Sequence, residues 1–144
     1  MGHVEDFARC YTDDGEHLAT LEAPAILVVD MLNDFCHPDG CMFLPEGREI
    51  VGNIRALVDA ARAQGVPVIY MNDRHRPDKP DREFEKRAPH CIEGTWGAEV
   101  VSEIAPKPCD WVIPKRRYSG FYQTDLDLVL RENAVRTCVV CGVV

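Results

Sequence analysis

The sequence predicts an α/β protein: a doubly wound, mostly parallel sheet in a three-layer arrangement, with helices on both faces. Three observations carry that expectation. Apolar runs at 25–30, 67–71, 110–114 and 136–144 are short enough for strands. Segments with helical spacing or turn residues separate them, giving the strand–helix alternation of a parallel sheet. The first run, Ala25-Ile26-Leu27-Val28-Val29, has no polar break and then stops at Asp30. A strand covered by helices on both sides needs that pattern.

At 144 residues the chain fits one domain, and a hydrophobic fraction of 46% suffices for a core. Its 16 Lys and Arg against 24 Asp and Glu give a formal charge of −8, which argues against a nucleic-acid or anionic-membrane partner. No apolar run approaches the roughly 18 residues that span a bilayer. The first residues, with Glu5, Asp6, Asp13 and Asp14, lack the basic-then-apolar order of a signal peptide, so a cytoplasmic location is expected.

Residues 1–23 carry mixed charge without a clear period and read as an N-terminal extension, in which Leu18, Ala19 and Leu21 could begin a short helix. The domain proper is expected over 24–144. After the first strand comes a loop reaching about Pro45. Ile50, Val51, Ile54, Leu57, Val58 and Ala61 then recur at helical spacing, and Gly65 supplies a helix stop. The second strand runs into Asn72-Asp73. A charged loop with three prolines fills 73–95, a length that points to function or disorder. A short helix is expected over 97–104, stopped by Pro106 and Pro108. The third strand leads directly to Lys115. Thr124-Asp125-Leu126-Asp127 resembles a capping box opening a helix with Leu126, Val129 and Leu130.

The chain has seven cysteines. Cys138 and Cys141 form a C-x-x-C by spacing, inside the last apolar run. On an extended strand residues three apart point to opposite sides, so the two cannot jointly hold a metal or a redox disulfide. Both are expected as small core residues.

Three strands end on chemically useful groups: Asp30, Asp73 with His75, and Lys115. Parallel strands deliver their C-terminal tips to one edge of a sheet, where ligands bind. An Asp and a Lys together in a cleft can activate a nucleophile, the carboxylate taking a proton and the ammonium favouring the resulting anion. On the residues alone, Asp30 capping a turn and Lys115 solvated beside Arg116 and Arg117 remain open. Asp73, His75 and His90 are ligand-type side chains that leave coordination positions open, as a catalytic metal site requires. A solvated charged loop is the other reading of these three.

The segments AILVVDMLNDF (25–35), Asp73-Arg74-His75, Pro89-His90-Cys91 through Glu99, and VIPKRRYSG (112–120) together resemble the isochorismatase-like cysteine hydrolases. That superfamily contains nicotinamidases, N-carbamoylsarcosine amidases and ureidoacrylate amidohydrolases. The resemblance covers about 24–144 and implies an Asp, a Lys and a Cys as catalytic set. Asp30 matches the base and Lys115 the amine. Gly142-Val143-Val144 matches the strand end that precedes the nucleophile by a few residues, and the sequence stops before that Cys. Cys138 and Cys141 both precede the motif.

The resemblance further implies a non-proline cis peptide between Val143 and Val144 that turns backbone N–H groups toward an oxyanion. It implies a divalent metal of the Zn, Fe or Mn type at Asp73, His75 and His90, not required for the chemistry itself, and pocket walls from Phe35, Tyr118 and Phe121. The aromatic residue that nicotinamidases carry shortly before the last His is absent from Lys86-Arg87-Ala88-Pro89. The 115–127 segment is closer to the ureidoacrylate and N-carbamoyl branch. The expectation is therefore a small-molecule amidohydrolase acting on an amide or N-carbamoyl C–N bond, with a metal-containing nicotinamidase, a vinyl-ether hydrolase or a non-catalytic homologue as alternatives. This chain, lacking the nucleophile and the last strands of the sheet, is expected to be an inactive piece of a homo-oligomeric enzyme with an exposed apolar edge.

Overall fold

A computed structural model describes residues 21–143. The suggested helix start near Leu18 and the Val144 side of the Val143–Val144 peptide lie outside the described residues, as does most of the N-terminal extension. Four strands, β1 (Pro24–Val29), β2 (Val68–Asp73), β3 (Trp111–Lys115) and β4 (Thr137–Gly142), form one sheet in the order β3-β2-β1-β4. Every pairing is parallel, with Val29 opposite both Met71 and Gly142, and Asp73 opposite Lys115. The doubly wound α/β architecture read from the sequence is the one observed.

Helices α1 (Asn33–Cys36), α2 (Pro45–Glu49) and α3 (Val51–Ala63) follow β1, and α4 (Leu126–Glu132) precedes β4. Among the described residues no helix is long and apolar enough to cross a membrane. In α3, Val51, Ile54, Val58 and Ala61 are buried, a stripe at helical spacing facing Ile26, Val28, Val68 and Tyr70 of the sheet. Each of the Val and Ile side chains contributes roughly 1.5–3 kcal/mol through burial, and the Ala61 methyl less. The helix ends where Gly65 takes φ +68° and two backbone bonds close it, Val66 N–H to Ala61 O (2.9 Å) and Gly65 N–H to Arg62 O (3.2 Å). On the opposite face Leu126 and Val129 of α4 pack over Ala25, Leu27, Ile69, Met71 and Ile113.

Three local expectations are corrected. Residues 97–104 form two 3-10 turns, Trp96–Ala98 and Ser102–Ile104, instead of a helix. The backbone between them is claimed from outside, by Asn33 N–H to Glu99 O (2.8 Å) and Val101 N–H to Met31 O (3.0 Å), which removes the atoms a helix would pair internally. The capping box does not close: Thr124 Oγ1 accepts from Leu126 N–H (3.2 Å), while Asp127 pairs with Arg131 (2.8 Å). Cys138 is not a core residue, while Cys141 packs against the cluster of Ile26 and Val28; among the described residues β4 lies at the edge of the sheet. Cys138 is exposed and Cys141 half-buried, and Val140 stands 64% exposed.

One ion pair ties α3 to the start of β3. The Arg62 guanidinium forks onto both carboxylate oxygens of Asp110 and also donates to Tyr70 Oη (3.2 Å), whose hydroxyl donates to Ile104 O (2.7 Å). The two charged side chains are 12% and 2% exposed. Burial raises the Asp110 carboxyl, but the hydrogen bonds from Arg62 and from the Lys107 amide outweigh it and hold the group below the usual range. Its stabilising contribution is therefore present above the unfolded value near 3.8 and is lost as pH falls through the lower folded value. Asp110→Asn should cost about 3 kcal/mol at pH 7, read from urea melts, with the gap from the unsubstituted protein closing as the solution is acidified. Equal stability at pH 7 would remove this pair from the account of the fold.

Candidate active site

Asp30 leaves β1 at the position where the strand can no longer continue. Its backbone takes φ +53°, a conformation few side chains adopt and Asp tolerates, and Leu32 N–H closes back on Asp30 O at 2.8 Å. That turn aims the carboxylate across the sheet edge. Oδ1 accepts from the Asp73 N–H at the tip of β2 (2.7 Å), and Oδ2 accepts from Lys115 Nζ at the tip of β3 (2.7 Å). Asp30 is 1% exposed and Lys115 3%. Burial pushes the Asp30 carboxyl up to about 6, although the Lys115 charge and hydrogen bond oppose the rise. Proximity of the two groups, the geometric condition for the acid–amine pairing read from the sequence, is met.

Asp73 gathers two imidazoles. His75 Nε2 and His90 Nε2 each lie 3.2 Å from Asp73 Oδ2. Burial alone would raise the Asp73 carboxyl; the hydrogen bonds from His75 and His90 instead place it well below the ordinary carboxylate range. Both rings are oriented from behind: His75 Nδ1 meets Asp81 Oδ2 at 2.8 Å, and His90 Nδ1 meets Ala88 O at 2.7 Å. A carbonyl only accepts, so His90 carries a proton on Nδ1, and the Asp81 carboxylate favours one on Nδ1 of His75. The bonds to Asp73 need a second proton on each Nε2. Burial opposes the charge in His75, but the bonds to Asp73 and Asp81 outweigh it, as the bond to Asp73 raises His90. Both imidazoles therefore lie above their usual range, and an ion would displace the two Nε2 protons. That leaves both Nε2 atoms turned toward Asp73, and one ligand atom from each of the three residues falls within a 4.8 Å group. A buried carboxylate with two outward-braced imidazoles is a donor set suited to a divalent transition metal. The residues fit such an ion.

A small cavity of about 90 Å³ opens on these groups. Its floor is Asp30, Lys115, Asp73 and His90; its apolar wall is Phe35, Met42, Leu44, Tyr118 and Val143; its rim carries Glu83, Arg87 and Arg117. Phe35 and Tyr118 thus face the cavity, whereas Phe121 does not line it and stands 58% exposed. Phe121 falls in the turn between β3 and α4. The Val143 N–H is engaged with Val29 O at 3.0 Å, so the amide offered there for an oxyanion is already bonded, while the Val143 side chain reaches the cavity.

Among the described residues no cysteine lines the cavity. Burial pushes the thiols of Cys36 and Cys141 up to about 11, and Cys91 rises further, against the needs of a nucleophile.

Several residues of the site carried no signal in the sequence. Phe84, in the 3-10 turn Arg82–Glu85, has its ring 4.7 Å from the His75 ring and 5.7 Å from that of His90. Asp81 and the rim residues Glu83 and Arg87 share the same aperiodic loop. Asp34, inside the NDF segment, is another such residue. Its carboxylate accepts from Cys91 N–H (2.7 Å) and Cys41 N–H (3.4 Å), fixing the residue next to His90.

The isochorismatase domain family model matches residues 24–144. A ureidoacrylate amidohydrolase of Rhizobium rhizogenes is 34% identical over 83% of this chain and 58% of its own length. This chain spans 58% to 65% of three curated ureidoacrylate amidohydrolases that it matches. Among solved structures, N-carbamoylsarcosine amidase from Thermoplasma acidophilum is 43% identical with TM-score 0.75, the match covering 84% of this chain and 68% of that one. Pyrazinamidase of Pyrococcus horikoshii in complex with zinc is 32% identical with TM-score 0.75, covering 85% and 72%.

Proposed function

Starting from the chain's membership of the isochorismatase family, we propose that its cavity serves an amidohydrolase that cleaves a small amide or N-carbamoyl C–N bond through a cysteinyl intermediate. The supporting observation is the buried Asp30–Lys115 pair, 2.7 Å apart on the floor of the cavity. Two charges are removed from water there at a cost of several kcal/mol, with little gain in stability over an apolar pair. Such an arrangement suits chemistry better than folding.

In this reading Asp30 takes the proton of a cysteine thiol, the nucleophile that the family resemblance implies, and Lys115 favours the thiolate. Sulfur bonds to the substrate carbonyl carbon, the C–N bond breaks, and the leaving nitrogen takes the proton that Asp30 held. Water then splits the thioester and restores the thiol. The amides beyond Val143 are the candidates for holding the tetrahedral oxyanion. Phe35 and Tyr118 exclude water and hold the flat group between them.

The test uses the full-length protein with N-carbamoylsarcosine, ureidoacrylate and nicotinamide, following ammonia release and, by intact mass, an acyl adduct on the cysteine. An adduct with either carbamoyl compound is expected. Turnover without any adduct, under rapid quench, would overturn the cysteinyl route.

Nicotinamidase with a bound divalent metal is the second reading, favoured by the convergence of Asp73, His75 and His90. These three would hold the ion, which would supply a Lewis-acid site for a ring nitrogen of the substrate. Elemental analysis of the full-length protein should then find about one metal per chain, and His90→Ala should lose it. A metal content far below one per chain in the unsubstituted protein would remove nicotinamide from consideration.

A further inference from the structure

A second concavity of about 360 Å³ lies beside the first, walled by two loops that leave neighbouring strand tips, 76–82 after β2 and 116–123 after β3. The loops bring together five cationic side chains, Arg76, Lys79, Arg82, Arg116 and Arg117, against the single carboxylate of Asp81. That concentration stands out in a protein of formal charge −8. Among the described residues the salt bridges of the group are Lys79 to Asp78 (3.3 Å) and Arg117 to Asp81 (3.4 Å); Arg76, Arg82 and Arg116 form none. Asp81 neutralises little more, because its oxygens also accept from His75 Nδ1 (2.8 Å) and the Glu83 N–H (3.0 Å). Like charges that converge without counter-ions repel one another, so the fold gains nothing from the arrangement. The hollow is nevertheless held in shape. Pro77 and Pro80 fix φ twice within one wall, and in the other Arg116 donates to the Arg74 carbonyl (2.8 Å), which sets its direction and leaves its other donors.

We propose that this hollow binds a phosphate group, free or carried as a small monoester, as a second ligand separate from whatever occupies the first cavity. The number and placement of the cations select the anion. A carboxylate is planar, and one guanidinium fork satisfies both of its oxygens. Cations that face one another from two loops suit an anion whose oxygens point in several directions. Phosphate is tetrahedral, and as a monoester it carries a charge of about −1.5 to −2 at pH 7 on three strong acceptor oxygens. The arginine fork matches phosphate geometry as well as it matches a carboxylate, so several forks can share one such group. Tyr122 lines the same hollow with its side chain 59% exposed, an aromatic face against which a flat ring carrying the phosphate can stack. Walls of one sign of charge also focus the field and raise the encounter rate of anions on an otherwise repelling surface. Arg117 lines both concavities and so joins the phosphate site to the mouth of the first.

Calorimetry on the full-length protein, stripped of metal with a chelator that is then removed, tests the site with inorganic phosphate and adenosine 5′-monophosphate. At least one of the two is expected to bind with Kd below about 1 mM at low salt, and to weaken at least about 10-fold at high salt as the hollow is screened. Arg76 and Arg82 pair with no carboxylate among the described residues, so Arg76→Gln with Arg82→Gln should leave thermal unfolding unchanged and weaken binding at least about 30-fold. His90→Ala, in the first cavity, should leave phosphate binding within about 2-fold. Tighter binding of the nucleotide, with the excess removed by Tyr122→Ala, identifies an ester as the ligand; equal affinities identify the free anion. Absence of heat from both probes up to about 10 mM, or binding that survives the double substitution, would overturn the site. So would binding that disappears in His90→Ala, which would move the anion to the first cavity. N-carbamoylglycine binding more tightly than either probe, and lost in the double variant, would overturn it too, since the hollow would then serve a carboxylate. None of these outcomes depends on whether the first cavity hydrolyses an amide.

Discussion

Asp30→Asn in the full-length protein should lower kcat/KM by about 1,000-fold, equivalent to about 4 kcal/mol of transition-state stabilisation. The amide keeps the size of the carboxylate and can still accept from the Asp73 N–H, so the loss reports proton transfer and charge. The pH profile makes the assignment sharper. A base must be ionised to act, and burial pushes the Asp30 carboxyl up to about 6. kcat/KM should therefore rise with pH through an ascending limb near 6. Both Lys115 contributions act to lower that value, so Lys115→Gln should reduce the rate and also displace the limb to higher pH. A limb that stays in place in the Lys115 variant would show that some other group sets it.

The same elevation has a consequence for folding, and its sign is opposite to that of Asp110. The folded Asp30 holds its proton more tightly than the unfolded chain, whose value is near 3.8. Its favourable contribution is complete below that value and is lost as pH rises through about 6. Two carboxylates in one domain thus respond to pH in opposite senses. Asp110 is served by a guanidinium fork at the rim of the sheet, while Asp30 is buried at the tip, where its ionised form is costly. Under the proposed mechanism, stability is spent at the place where the reaction needs a base.

The elements legible in the sequence were those whose pattern is local. β1 showed as an unbroken apolar run, and α3 as a stripe ending at a glycine. Parallel strands share one edge, so the convergence of Asp30, Asp73 and Lys115 at the strand tips is legible in the sequence. What stayed hidden depends on contacts between distant segments. Residues 97–104 have helical composition, yet Glu99 and Val101 bond to residues 31 and 33, and no window of the sequence contains both partners. Asp81 is one acid among several in a charged loop until folding sets it 2.8 Å from His75. Cys138 reads as buried because an apolar strand resembles a central one, yet it is exposed while Cys141 packs against the core; which face of a strand is covered is decided by what lies beside it.

The other large effect is expected at Gly142, where nothing chemical happens. At the tip of β4 this residue takes φ +125°, and it lies opposite Val29 in the parallel register. A Cβ built there would sit 2.0 Å from Val29 O and 2.8 Å from Val29 C and N. These are backbone atoms of the strand whose next residue is Asp30, so no side chain can swing aside to relieve the contact. Gly142→Ala must separate the tips of β1 and β4, break the Val143 N–H bond to Val29 O (3.0 Å), and move the carboxylate relative to Lys115. Backbone strain and overpacking each cost about 1–3 kcal/mol, so a loss of at least about 3 kcal/mol is expected in urea melts. Activity of the full-length protein should fall by more than the lost folded fraction accounts for. Gly52→Ala is the matched control: it lies within α3, its added Cβ meets nothing within 4 Å, and it should stabilise by about 0.5–1 kcal/mol. If Gly142→Ala melted with the unsubstituted protein, the close approach of β1 and β4 could not be what holds the Asp30 turn in place.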